Sequence, residues 1–185
     1  MAILTRGQFA TIAQTKAGTR GLRGFVNESR TFSKTNSITS IFLSHSHTDK
    51  DVIEQAKIFF ENLGISIYVD WADKTMPEST NGVTAQKIKS QIITGNDKFV
   101  LLATNNAVAS KWCNWEVGIA DPFKLPNKKI ALLPLADNSG TWNGNEYLKI
   151  YPRIEKNPLQ AGGEGYYVWY PDGTWETLED WLNKK

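Results

Sequence analysis

The sequence predicts a doubly wound α/β fold, a parallel sheet of about five strands with helices on both faces. Three observations carry that prediction. Short, continuously apolar runs recur at residues 41–43, 65–69, 99–103 and 130–135. Strands covered on both faces read this way, whereas strands with one wet face alternate apolar and polar residues. Between the runs lie segments whose apolar residues recur at helical spacing. Finally, strand and helix alternate along the chain, the order that parallel strands joined by helical crossovers require.

Taken in order, Ile41, Phe42 and Leu43 form a first buried strand that ends in Ser44, His45, Ser46 and His47. Thr48 or Asp49 can cap the next segment, where Val52, Ala56, Phe59, Phe60 and Leu63 mark one face of a helix that Gly64 stops. Residues 65–69 are a second strand bounded by Asp70, and residues 71–82, with Asp73, Pro77, Asn81 and Gly82, read as a long loop. A second helix fits 84–94, with Ala85, Ile88 and Ile92 inward, Lys87 and Lys89 outward, and Gly95 and Asn96 closing it. Residues 99–103 are the third strand. Ser110 opens a helix through Ala120 that Pro122 should break, and residues 130–135 are the fourth strand. Residues 166–170 suit a fifth strand and 175–182 a closing helix, its two tryptophans and a leucine facing the body.

The 185 residues suit one domain with an extension. The 21 Lys and Arg nearly cancel the 19 Asp and Glu, so the strong positive field of a dedicated nucleic-acid binder is missing. Cys113, the single cysteine, forbids an intrachain disulfide and a cysteine-cluster zinc site and suits a reducing, cytoplasmic setting. No run is long and apolar enough to span a bilayer. In residues 1–37, Arg6, Lys16, Arg20, Arg23, Arg30 and Lys34 face only Glu28. That composition predicts a flexible or partly helical basic arm, with the folded domain at 38–185. The segment is acid-poor like a transit peptide but lacks the apolar stretch of a secretory signal.

Ligands of open α/β sheets bind at the carboxyl ends of the strands, near the switch in strand order. Three segments should therefore converge: 44–49, 70–82 and 104–116. Glu116 lies four residues after Trp112, so both project from one helix face, and an acid beside an indole in a cleft would have a raised pKa. Spacing alone favours a solvated helix glutamate. Ser44, His45 and Ser46 can contact ribose or phosphate through hydroxyls and backbone N–H groups, or can serve as helix-cap chemistry. His45 and His47 sit at a metal-ligand spacing without a third ligand, so no metal is expected. Asp70 and Trp71 can shape a nucleotide pocket, or Trp71 can pack beneath its own loop. Lys74 and Asp73 serve a nucleotide, a neighbouring subunit or simply a solvated loop. Cys113 has no evident base partner and reads as packing. Tyr166, Tyr167, Trp169 and Tyr170 lack interleaved basic residues and read as a sheet edge and cover, not a nucleic-acid platform.

The same three segments carry a resemblance. Phe42 to Asp49 (Phe-Leu-Ser-His-Ser-His-Thr-Asp) is similar to the first box of TIR domains. Tyr68, Val69, Asp70 and Trp71 with the loop after them resemble their second strand and BB loop, and Ser110 to Glu116 (Ser-Lys-Trp-Cys-Asn-Trp-Glu) resembles their catalytic helix. Order and spacing match from Ile38 to Leu135, and the resemblance does not reach the N-terminal arm. The loop departs from the animal adaptor pattern, having Met76 and Pro77 and no early glycine.

The resemblance is to bacterial, NAD-consuming TIR domains of the Thoeris antiphage kind. It implies a flavodoxin-like fold, self-association through TIR surfaces, and cleavage of NAD⁺ at the nicotinamide–ribose bond by members that keep the glutamate, here Glu116. It further implies that Ser44, His45, Ser46, Asp70, Trp71, Lys74 and Trp112 line the substrate site. NAD⁺ is then a substrate and no separate cofactor is expected, and the product would signal to a downstream effector. Two rivals remain at this stage: a non-catalytic TIR–TIR interaction module, and a nucleoside 2-deoxyribosyltransferase-like enzyme that also uses a glutamate on an N-glycosidic bond.

Overall fold

A computed structural model describes residues 3–18, 39–73, 82–158 and 164–184. Among these, eight strands form one sheet in the order β3-β2-β4-β5-β6-β7-β8, with the two-residue β1 also pairing with β5. The elements are β1 (Leu4–Thr5), α1 (Arg6–Ala17), β2 (Ser40–Ser44), α2 (Lys50–Glu61), β3 (Ser66–Tyr68), α3 (Gly82–Ser90), β4 (Lys98–Thr104), α4 (Asn105–Ala109), α5 (Lys111–Lys124), β5 (Ile130–Ala136), β6 (Arg153–Pro158), β7 (Glu164–Trp169), β8 (Trp175–Thr177) and α6 (Leu178–Asn183). Strands β1 to β6 pair in parallel, and β7 and β8 add antiparallel.

The sheet is doubly wound, as the apolar runs require. On one face α1, α2 and α6 pack Phe9, Phe59, Phe60 and Trp181 over Ile41, Leu43, Val100 and Leu133. On the other, α3, α4 and α5 pack Ile88, Val108, Cys113 and Val117 over Phe42, Phe99, Leu101 and Leu132. Successive strand residues thus feed opposite cores, the period-two rule applied to a sheet with no wet face. Pro134, inside β5, lies where no N–H donor is needed: the Leu132 N–H on the same strand edge reaches the Pro152 carbonyl, and β1 pairs only from Leu135.

Residues 3–18 pack onto the sheet and α2. Thr5 and Gln8 form a reciprocal capping box that starts α1. Phe9 and Ala13 are fully buried, and the Phe9 ring lies 5.6 Å from that of Phe59. A basic composition hid an amphipathic turn; residues 19–38 lie outside the described residues.

Three local expectations change as well. Helix α5 continues through Pro122 to Lys124. Pro122 and Gly118, four residues before it, are both exposed, so the carbonyl that loses its helical partner faces water. Residues 175–177 are strand β8, not helix, and Trp175 faces solvent at 55% exposure. Helix α6 starts at Leu178, where the Thr177 side chain accepts from the Asp180 N–H. Residues 164–169 are not a sheet edge, because β7 is flanked by β6 and β8.

Candidate active site

The strand order reverses between β2 and β4, because β2 has β3 on one side and β4 on the other. Their carboxyl ends, where ligands of open α/β sheets bind, are flanked by the segments after β2 and β4 and by the start of α5. Ser44 ends β2. It lies two residues after Phe42 and therefore on the α5 face of the sheet. On α5, Cys113, Glu116, Val117 and Ala120 are buried at the spacing of one helix face, so Glu116 occupies a core-facing position. The two geometries meet: Ser44 Oγ donates to Glu116 Oε2 at 2.5 Å, with Ser44 1% and Glu116 3% exposed.

A carboxylate so enclosed loses hydration that one hydroxyl cannot replace. Burial lifts the Glu116 carboxyl from its ordinary 4.5 to about 8; the Ser44 hydroxyl and the Trp112 indole favour the charged form, and the nearby Asp70 disfavours it. Trp112 is half-buried, its ring tilted against that of the exposed Trp115 with centroids 4.9 Å apart. Burial likewise pushes the Cys113 thiol up to about 11, which suits packing and not nucleophilic attack.

His45 is buried beside this pair. Its Nδ1 donates to the Leu43 carbonyl at 2.9 Å, which leaves Nε2 as the lone-pair nitrogen of a neutral ring. Burial lowers its pKa, against the opposing pull of that carbonyl and of Asp70. Nε2 lies 3.6 Å from Asp70 Oδ1, beyond hydrogen-bond distance, and has no hydrogen-bond partner among the described residues. Asp70 is within electrostatic reach of both His45 and Glu116.

The structure therefore brings together Glu116, Ser44, His45, Asp70 and Trp112. Ser46 sits at the rim, its hydroxyl 2.9 Å from that of Thr48. Lys74 and the side chain of Trp71 lie outside the described residues. Asp73 accepts from the Tyr68 hydroxyl at 2.9 Å. His47 is exposed.

Sequence reasoning missed one network. Asp49 occupies the N-cap position of α2 but its side chain makes no cap hydrogen bond. Its buried carboxylate instead accepts from Thr104 Oγ1 at 2.5 Å, from Asn106 Nδ2 at 2.8 Å and from Arg6 Nη2 at 2.6 Å. It thereby ties α1 and the β4–α4 junction to the loop that carries Ser44 to Asp49. No local signal marks this, since the partners lie 43 to 57 residues away.

Comparison with known proteins adds the following. The TIR domain family model matches residues 41–153. Over 153 residues the chain is 35% identical to a Bacillus cereus (strain MSX-D12) protein named as a probable 3' cyclic ADP-D-ribose synthase, ThsB', covering 80% of this chain and 78% of that one. It is also 30% identical over 105 residues to a Cytobacillus dafuensis protein named as a candidate cyclic ADP-D-ribose synthase, TIR2, covering 55% of this chain and 27% of that one.

Proposed function

The chain belongs to the TIR domain family, and from that membership we propose that it cleaves NAD⁺ at the nicotinamide–ribose bond, with Glu116 facing the reacting ribose. The observation that carries the reading is a buried carboxylate held by Ser44 at the switch point of the sheet. As the C–N bond breaks, positive charge grows on the anomeric carbon and nicotinamide leaves as a neutral molecule. No strong general acid is needed. A fixed negative charge in a water-poor cleft is, and it stabilises the oxocarbenium-like centre as glycosidase carboxylates do.

A carboxyl that holds its proton up to about pH 8 is not a defect for this chemistry. The cationic nicotinamide ring favours the charged form of any acid beside it, so substrate binding itself ionises Glu116. His45, Asp70 and Trp112 shape the pocket around the dinucleotide, and Ser46, Trp71 and Lys74 belong to its proposed rim. NAD⁺ enters as substrate and no resident cofactor is invoked.

The names of the relatives support an ADP-ribose product closed on itself: a hydroxyl of the same molecule replaces nicotinamide and one proton is released. Water in its place gives linear ADP-ribose. Action on cytoplasmic NAD⁺, self-association through TIR surfaces, a product-sensing effector and antiphage defence complete the proposal. No helix among the described residues is long and apolar enough to cross a membrane.

The deciding experiment incubates the purified chain with NAD⁺ and, separately, with nucleosides, follows release of nicotinamide or free base, and identifies products by mass spectrometry. Nicotinamide together with a dehydrated ADP-ribose mass is the expected result. Base release from nucleosides alone would assign the deoxyribosyltransferase chemistry, and no release by the folded chain across a wide concentration range would leave an interaction module.

A further inference from the structure

Far from the catalytic crevice, at the amino ends of the same strands, lies a cavity of about 320 Å³ lined by Lys98, Lys128, Lys129, Lys184, Glu176 and Trp181 among others. Its volume is at the lower end of ligand-sized pockets. Four lysines and one glutamate are among its lining residues. That carboxylate is already engaged at both oxygens: Tyr170 Oη donates to Glu176 Oε1 at 2.5 Å and Lys184 Nζ to Glu176 Oε2 at 2.5 Å. The charges of Lys98, Lys128 and Lys129 thus find no free carboxylate in the lining.

Packing gives a reason for part of this arrangement and not for all of it. Lys98 is 1% exposed, donates to the Lys184 carbonyl at 2.8 Å and lies 4.6 Å from the Trp181 ring centre. That anchors the end of α6. The charge of Lys129 favours the carboxylate of Asp97, which lies outside the lining, and burial, together with the charge of Lys129, disfavours the ammonium of Lys98. Lys128 is the one non-glycine among the described residues with positive φ, 54°, and it follows the end of α5, where glycine or asparagine is ordinarily found. Its carbonyl accepts from Trp181 Nε1 at 2.7 Å and its ammonium lies 4.7 Å from the Tyr170 ring centre. A lysine in the left-handed region and the buried ammonium of Lys98 in the field of Lys129 both cost stability, and strained backbone gathers where a ligand is clamped.

We propose that this cavity binds a small anion through a phosphoryl or pyrophosphoryl group, as a site separate from the catalytic crevice. Three ammonium groups around a concave, ligand-sized space match the charge of a diphosphate, and its oxygens accept the remaining N–H bonds of Lys98 together with those of Lys128 and Lys129. A concave site of this size suits a small anion better than the side of a nucleic-acid duplex.

The test titrates the full chain with sodium pyrophosphate at constant ionic strength, by calorimetry and by thermal melting, with ADP and a short DNA duplex as further arms. Saturable one-to-one binding with a raised melting temperature is expected. Glu116→Gln should keep it. Lys129→Gln should weaken binding about tenfold or more, the effect of losing one charge-assisted hydrogen bond. Lys128→Gly should weaken it similarly while the anion-free protein melts no lower than wild type, because glycine relieves the left-handed backbone. ADP binding equal to pyrophosphate identifies an inorganic anion as sufficient, and tighter ADP binding identifies a nucleotide-borne group; both support the site. Absence of saturable pyrophosphate binding, unchanged affinity in both lysine variants, or binding of duplex alone would overturn it.

Discussion

Ser44 and Glu116 meet because two periodicities point at the same place: alternation along β2 turns Ser44 toward α5, and the 113, 116, 117, 120 stripe of α5 turns Glu116 toward β2. The spacing of that stripe by itself favours a solvated helix glutamate, and the resemblance to TIR domains is what singles out Glu116. The pairing with Ser44 was not legible, since it spans 72 residues. Glu116→Gln keeps the volume and removes the charge, so NAD⁺ cleavage should fall about a hundredfold or more, measured as nicotinamide release. In the wild type, kcat/KM should rise with pH toward about 8 as the free carboxyl loses its proton. Stability runs the other way. The folded protein holds this proton from the ordinary 4.5 up to about 8, so the contribution is full below 4.5 and lost as pH rises through 8. The melting temperature of Glu116→Gln should therefore exceed that of wild type by a margin that opens across this window. A margin constant from pH 4 to 9 would show that Glu116 is not desolvated.

At the scale of elements, the apolar runs gave β2, β4 and β5 because each is buried on both faces; the partly buried edge strand β3 followed from Ile65, Ile67 and Val69, and the helices from spacing. β6 carries no apolar run, since Arg153, Glu155, Lys156 and Asn157 surround Ile154; only Ile154 joins the hydrophobic core, and the strand exists because β5 and β7 offer it ladders on either side. Tertiary pairing overrides composition there. The opposite error occurred in α5, where a local rule was given too much weight. Pro122 forfeits one bond to Gly118, yet the packing of Val117, Ala120 and Lys124 carries the helix onward, Lys124 Nζ donating to the Asn96 carbonyl at 2.7 Å. Pro122→Ala should restore the missing bond and raise unfolding stability by about 1 kcal/mol or more, since proline is the least favourable residue of a helix interior. Urea denaturation should show a higher midpoint at unchanged slope. A lower midpoint would mean that the proline ring contributes packing that its exposure does not suggest.

For the whole molecule, the question is where the folded unit starts. A basic, glycine-rich opening argued for a separate arm, and its few large apolar residues made the amphipathic face thin: Phe9 and Ala13 alone are fully buried in α1. Their effect is larger than their number. Phe9 closes the core over Phe59, β1 extends the ladder of β5 at Leu135 and Ala136, and Arg6 reaches the fully buried carboxylate of Asp49. Removing residues 1–18 would expose Phe59, worth about 2 kcal/mol for the lost Phe9 burial alone, and would strip the cation from a buried charge, at about 3 kcal/mol more. Against a typical total of roughly 5–15 kcal/mol, that loss should lower the melting temperature by well over ten degrees or leave the chain aggregated. The two contributions separate in a pair of point variants. Arg6→Met keeps α1 and its packing but leaves Asp49 with only the Thr104 and Asn106 bonds, and Asp49→Asn in the same chain removes the charge that needed Arg6. The single variant should melt lower and the double variant should recover part of the difference. Because Asp49 also fixes the loop that carries Ser44, the single variant should lose nicotinamide release out of proportion to its folded fraction. A truncated chain that melts with the full-length one would put α1 outside the cooperative unit and return residues 1–18 to the status of an arm.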